Sequence, residues 1–150
     1  MNDDGSLPLF RETARPEWID YNGHLSEAFY VLVFGYATDA MMDATGLDPA
    51  YREATGCSLY TVESHIRYLR EVKEGAEITV RTRILGAAAK KARFTHEMYV
   101  DGGERPVATI ELLGVHVGEN GAEPFPDQVR ARYEELAEVA PDWAGRAVAL

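Results

Sequence analysis

One stretch constrains the fold of this chain more than any other: SEAFYVLVFGYATDAMMDAT, from Ser26 to Thr45. Phe29, Leu32, Val33, Tyr36, Ala40 and Met41 recur at helical spacing, while Val31, Phe34 and Ala37 fill much of the other side. A helix apolar nearly all round belongs inside a structure, not on its surface. Ser26 stands where an N-cap is expected and Gly46 where a stop is expected. The uncharged part, Ala28 to Thr38, lies between Glu27 and Asp39. It is well short of the roughly 20 residues a bilayer span needs, so no membrane segment is expected.

A helix without a polar side needs a sheet around it, and the chain downstream supplies one. CSLYTVESHIRYL (57–69), EITVRTRIL (77–85), ARFTHEMYV (92–100) and PVATIELLGVHV (106–117) are rich in β-branched and aromatic residues. Gly75, Gly86 and the Asp101-Gly102-Gly103 turn separate them. In the second run Ile78, Val80, Thr82 and Ile84 share one face, and Thr79, Arg81 and Arg83 the other. Upstream, LPLFRETA reads as a first strand ended by Pro16. Near the end, residues 127–139 form an amphipathic helix with Val129, Tyr133 and Leu136 on one side. Strand, buried helix, then four antiparallel strands is the α+β layout of the hotdog fold: an antiparallel sheet wrapped around a central helix, with a C-terminal amphipathic helix. With 150 residues and no repeat or linker, residues 1–150 read as one domain. Hotdog proteins commonly pair across strand edges, so a homodimer or homotetramer is expected.

The formal net charge of −10 argues against broad nucleic-acid or anionic-membrane binding, which needs a basic surface. Cys57 is the only cysteine and the N-terminus, MNDDGSLPLF, is acidic where a signal peptide would be basic. A cytoplasmic location is expected. The four histidines show no clustered ligand spacing and there is no Gly-rich phosphate loop, so neither a metal nor a cofactor is expected. Cys57 has no basic neighbour in sequence and reads as a small buried hydrophobe; His96 and His116, within strands, read as structural.

Chemistry concentrates just before the apolar helix, in WIDYNGHLSEAFY (Trp18–Tyr30). Asn22-Gly23 supplies turn chemistry, and a helix start presents unpaired N–H groups and a partial positive charge. Such groups can hold a carbonyl oxygen that becomes negative during reaction. A carboxylate one turn upstream, Asp20, can attack that carbonyl or activate a water. From spacing alone, Asp20 as a simple turn cap is the commoner arrangement. On the first long strand, Thr61, Glu63 and His65 alternate onto one face, either as a substrate- or water-positioning group or as hydrogen-bond partners within the sheet.

DYNGHLSEAFY resembles the active-site segment of hotdog acyl-CoA thioesterases of the 4-hydroxybenzoyl-CoA thioesterase type. The resemblance implies Asp20 as catalytic carboxylate, backbone amides around His24 to Glu27 as the oxyanion site, and His24 as the group orienting loop or substrate. It therefore implies an acyl-CoA substrate. PEWIDYNGH, VFGYATDAMMDATGLDPAY, YTVESHIRYLREVKEG and ILGAAAKKARFTHEMY, over roughly residues 15 to 117, are similar to the thioesterases associated with L-carnitine dehydrogenase and betainyl-CoA hydrolysis. That likeness implies a functional link to a carnitine dehydrogenase and a trimethylammonium acyl group, which aromatic faces and a carboxylate would hold. Trp18, Tyr21 and Glu63 are the expected contacts, with Asn22, Gly23, Ser26, Glu27 and Tyr60 also in the substrate site. Phe29 and Tyr30 are expected to be core. For the CoA phosphates the cationic candidates are Arg67, Arg70, Lys73, Lys90, Lys91 and Arg93. The competing readings are a hotdog hydratase or dehydratase, using a His–carboxylate pair, and a non-catalytic acyl-CoA-binding domain.

Overall fold

The computed structural model describes all of residues 1–150. The chain runs β1 (Phe10–Thr13), a 3-10 turn (Pro16–Trp18), α1 (Glu27–Ala44), α2 (Pro49–Thr55), β2 (Ser58–Tyr68), β3 (Glu77–Ala87), β4 (Lys91–Val100), β5 (Ala108–Gly118), β6 (Gly121–Ala122) and α3 (Asp127–Leu136). All strand pairs are antiparallel, in the order β1-β3-β4-β5-β2, with β6 on β5. The curled sheet cradles α1, as the hotdog layout requires. The four long strands and both long helices fall where residue patterning puts them. The short α2 and β6 were not expected. Asp48 signals α2, since its carboxylate accepts from the Tyr51 amide at 2.8 Å ahead of Pro49.

The inward face of the sheet follows strand alternation. Ile78, Val80 and Ile84 of β3, Phe94 and Met98 of β4, and Ile110 and Leu112 of β5 bury against Val33, Phe34, Ala37 and Met41 of α1. Each large side chain so buried contributes about 1.5–3 kcal/mol. One polar bolt crosses this layer. The His96 ring accepts or donates at 2.8 Å to the Thr38 hydroxyl through Nε2 and to the Thr82 hydroxyl through Nδ1, and stacks on Phe34. Burial pushes its pKa down to about 3, so the imidazole is neutral and structural. His116 is likewise structural, bonded to the Tyr51 hydroxyl and the Glu123 carbonyl. Cys57 is buried, its thiol donating to Glu123 Oε2 at 3.2 Å.

Two expectations change. First, α1 is covered on one side only: Ala28, Val31, Gly35 and Tyr36 are exposed. A single sheet wraps about half a cylinder, so an all-round apolar helix is half unsatisfied within one chain. Second, β2 contains a bulge. Thr61 sits opposite Gly114 and Glu63 opposite Leu113, leaving Val62 as the extra residue. Neighbours on β5 point to opposite faces, so Thr61 turns inward while Glu63 and His65 turn outward. The three do not share a face. The other edge of β2 has no strand beside it, and Tyr60, Val62, Tyr68 and Leu69 are exposed along or just beyond it. No helix is long and apolar enough to cross a membrane.

Candidate active site

The loop before α1 is a miniature hairpin. Ile19 bridges Leu25, and the Asp20 amide donates to the His24 carbonyl at 2.9 Å. Gly23 closes the turn at φ +82°, a conformation that favours glycine, and its amide donates to the Asp20 carbonyl. Inside the turn Asp20 Oδ1 accepts from the Asn22 amide at 2.8 Å and, weakly, from His24 at 3.5 Å. Asp20 Oδ2 accepts nothing from the protein. Asp20 thus does cap its turn, as the bland reading holds, yet it keeps one oxygen free.

The hairpin is anchored on both sides. The Ser26 amide donates to the Trp18 carbonyl and the Leu25 amide to the Val72 carbonyl. His24 bridges Lys73 through backbone and reaches Glu71 with Nε2, 3.0 Å from Oε2. His24 therefore holds the loop onto the chain following β2. The expected oxyanion set narrows accordingly, because the amides of Leu25 and Ser26 are occupied. Glu27 and Ala28, in the first turn of α1, have amides with no protein acceptor. Ser26 occupies the N-cap position, but its side chain makes no capping bond.

A cleft of about 360 Å³ opens beside this loop, between the start of α1 and the end of β2, lined by His24, Glu27, Tyr30, Tyr68, Arg70 and Glu71 among others. The Tyr30 hydroxyl donates to the Arg70 carbonyl at 3.1 Å. Burial raises its pKa, and the charges of Glu71 and, more weakly, Asp20 add to the effect. Asp20 and Glu71 therefore lie within electrostatic reach of one phenol.

Other expected site residues are elsewhere. Trp18 is buried, stacked on Phe29 at 5.9 Å and capped by the Arg15 guanidinium at 4.9 Å, so it is core rather than a substrate contact. Tyr21 is almost wholly exposed at the turn tip, and Asn22 contributes its backbone amide rather than its side chain. Glu63 stands on the outer sheet face with His65, Arg93, Glu111 and Arg146, in a separate cleft of about 520 Å³. The bulge puts it there, and within one chain it does not approach Asp20. In that cleft Arg93 pairs with Glu111. Burial pushes the Glu111 carboxyl up, but the Gly145 amide and Arg93 outweigh it and hold the group below its ordinary value.

The basic candidates divide too. Arg70 borders the cleft beside the Asp20 loop, while Arg67 and Arg93 belong to the outer face. Lys90 and Lys91 sit in the β3–β4 hairpin, where Lys91 pairs with Val115, the residue opposite Tyr60. Tyr60 and Tyr68 are eight residues apart on β2, roughly 25 Å at strand rise. One chain therefore does not gather this set around one ligand. What residue reasoning missed is the pair Tyr68 and Glu71: their signal, an aromatic and an acid closing a long strand, carries nothing until topology sets it beside α1.

Comparison with known proteins decides the family. Residues 14–133 match the model of the thioesterase-like superfamily. The chain belongs to that superfamily. It is 44% identical to the betainyl-CoA thioesterase of Pseudomonas aeruginosa, over 96% of this chain and 95% of that one. It is 52% identical to part of an Agrobacterium fabrum L-carnitine dehydrogenase/betainyl-CoA thioesterase, over 76% of this chain and 23% of that longer protein. A crystallised thioesterase candidate from Pseudomonas putida KT2440 superposes with a TM-score of 0.83 at 41% identity, covering 94% of each chain.

Proposed function

We propose that this protein hydrolyses betainyl-CoA, releasing betaine and free CoA, with Asp20 as the catalytic carboxylate. Membership of the thioesterase-like superfamily and 44% identity over nearly the full length to a betainyl-CoA thioesterase support acyl-CoA thioester hydrolysis. The observation that carries the assignment to Asp20 is its half-satisfied carboxylate: Oδ1 is pinned by the Asn22 amide and Oδ2 is free, directly before a helix whose first two amides lack acceptors.

The thioester carbonyl oxygen takes hydrogen bonds from the Glu27 and Ala28 amides, where the α1 dipole favours developing negative charge. A donor so placed lowers the barrier by about 3 kcal/mol. Asp20 Oδ2 either attacks the carbonyl carbon, forming an anhydride that water then opens, or removes a proton from an attacking water. In both routes the C–S bond breaks, the thiolate leaves and takes a proton, and one water is consumed. Arg70, bordering the cleft with no carboxylate partner, is placed to meet a CoA phosphate.

The working form is a homodimer joined along β2. That edge is long, unpaired and partly apolar, the kind of edge chains cover. Antiparallel pairing of two β2 strands would bring the partner's Lys90 and the partner's Lys91 toward the Tyr68 end of the first copy, uniting cations that one chain keeps apart. The dehydrogenase–thioesterase chain of Agrobacterium fabrum supports a functional link to a carnitine dehydrogenase.

The test is thiol release, read with a disulfide reagent, from betainyl-, acetyl-, medium-chain and 4-hydroxybenzoyl-CoA. Preferential turnover of betainyl-CoA is expected. Turnover confined to another ester would reassign the substrate, and no thiol from any would refute hydrolysis. In a single turnover in H2(18)O, isotope in Asp20 identifies direct attack with the anhydride opened by water at the Asp20 carbonyl.

A further inference from the structure

The cleft between α1 and the end of β2 has a composition that suits one kind of acyl group. Tyr30 and Tyr68 meet edge to face, centroids 5.1 Å apart and planes at 90°, so the buried Tyr30 ring backs the corner and Tyr68 forms its open wall. The Tyr30 hydroxyl is fixed by the Arg70 carbonyl, which locks that ring. Tyr68 is 41% exposed, leaving ring surface open to the cleft. Glu27 and Glu71 flank the corner, both open to solvent, and Glu27 has no ion-pair partner. Glu71 meets His24 Nε2 at 3.0 Å, which anchors its carboxylate beside the corner. Arg70 is the one strong cation on the wall, and its backbone carbonyl is what engages Tyr30.

A quaternary ammonium has no N–H and cannot form directed hydrogen bonds. It is recognised by aromatic faces together with diffuse negative charge, which is what this corner offers. A carboxylate-bearing acyl group would be repelled by the same acids. We propose that this cleft is the acyl subsite and selects a quaternary-ammonium acyl group, seated against Tyr30 and Tyr68 and between Glu27 and Glu71. The inference rests on the reading that hydrolysis occurs at Asp20, and it replaces Trp18, Tyr21 and Glu63 as substrate contacts by residues that line one cleft.

The test uses a pair of esters that differ only in charge: betainyl-CoA and its carbon isostere, 3,3-dimethylbutanoyl-CoA. Wild type should favour the cationic ester in kcat/KM by roughly tenfold or more; Tyr68→Leu should lower that ratio by roughly tenfold, within the range of a cation–π contact, and Glu71→Gln by roughly threefold, the range of an exposed charge pair. Tyr68→Phe, which keeps the ring, should retain most of the ratio. On unmodified protein, choline should inhibit at roughly tenfold lower concentration than its isostere 3,3-dimethylbutan-1-ol. Equal inhibition by the two alcohols overturns the subsite even if the variants fail to fold. Thiol release from betainyl-CoA with a ratio unchanged by both substitutions overturns the subsite alone. No thiol release from betainyl-CoA by wild type overturns the hydrolase reading, and the subsite with it.

Discussion

The carboxylate of Asp20 and the backbone amide of Asn22 are 2.8 Å apart, and that bond holds one of the two carboxylate oxygens in the turn. The other accepts nothing from the protein. The loop that carries it is tied down by His24–Glu71 and runs directly into the start of α1. In the proposed mechanism the turn cap and the catalytic group are the same carboxylate, used at its two oxygens.

The turn that sets this geometry depends on Gly23 at φ +82°. No neighbouring atom would meet an added Cβ, so the cost of Gly23→Ala is conformational alone. It should amount to about 1–2 kcal/mol of stability. Because the strain falls on the loop carrying Asp20, kcat should drop by more than the stability loss explains, roughly tenfold or greater. Thermal melts beside steady-state kinetics check this; unchanged kcat with a lowered melting temperature would separate the turn from the chemistry.

The neutral His96 between Thr38 and Thr82 makes stability pH-dependent. Its folded pKa, about 3, lies below the ordinary 6.5, so between those values the unfolded chain binds the extra proton. Stability from this group is complete above pH 6.5 and is lost as pH falls, by about 1.4 kcal/mol per unit. Urea midpoints measured from pH 7 to pH 4 should decline accordingly, and His96→Gln should flatten the decline while lowering stability at pH 7.

Much of this architecture is legible in the residues alone. The strict alternation of Ile78, Val80 and Ile84 and the period of Val33, Phe34, Ala37 and Met41 each name a buried face, because packing rewards that pattern directly. Asp20, Asn22 and Gly23 are legible for the same reason: turn chemistry is local. What escaped is non-local. The Val62 bulge leaves no mark on the alternation, yet it reverses the side on which Glu63 projects. Trp18 looks like a site aromatic by proximity to Asp20, whereas its ring is taken up by Phe29 and Arg15. The exposed side of α1, with Val31 and Tyr36, reads as interior because residue type does not say how much of a helix one sheet can cover.

The unpaired edge of β2 should be where two copies meet. A lysine at Val62, which is 58% exposed at the bulge, places charge on that edge without disturbing the core. Val62→Lys should shift the protein from dimer to monomer in sedimentation equilibrium at micromolar concentration. If the proposed β2 pairing completes the site, activity should fall with it by roughly tenfold or more. A monomeric variant with full activity would show that one chain is sufficient.

The most direct test of Asp20 as the catalytic carboxylate is kcat for betainyl-CoA hydrolysis in wild type and Asp20→Asn. Asparagine keeps an oxygen to accept from the Asn22 amide, so the turn and the melting temperature should survive while the attacking charge is gone. A loss of about a thousandfold or more in kcat is expected, the scale of removing a nucleophile or general base. Retention of more than about a tenth of wild-type kcat in the folded variant would contradict it and leave Asp20 as a turn cap and nothing more.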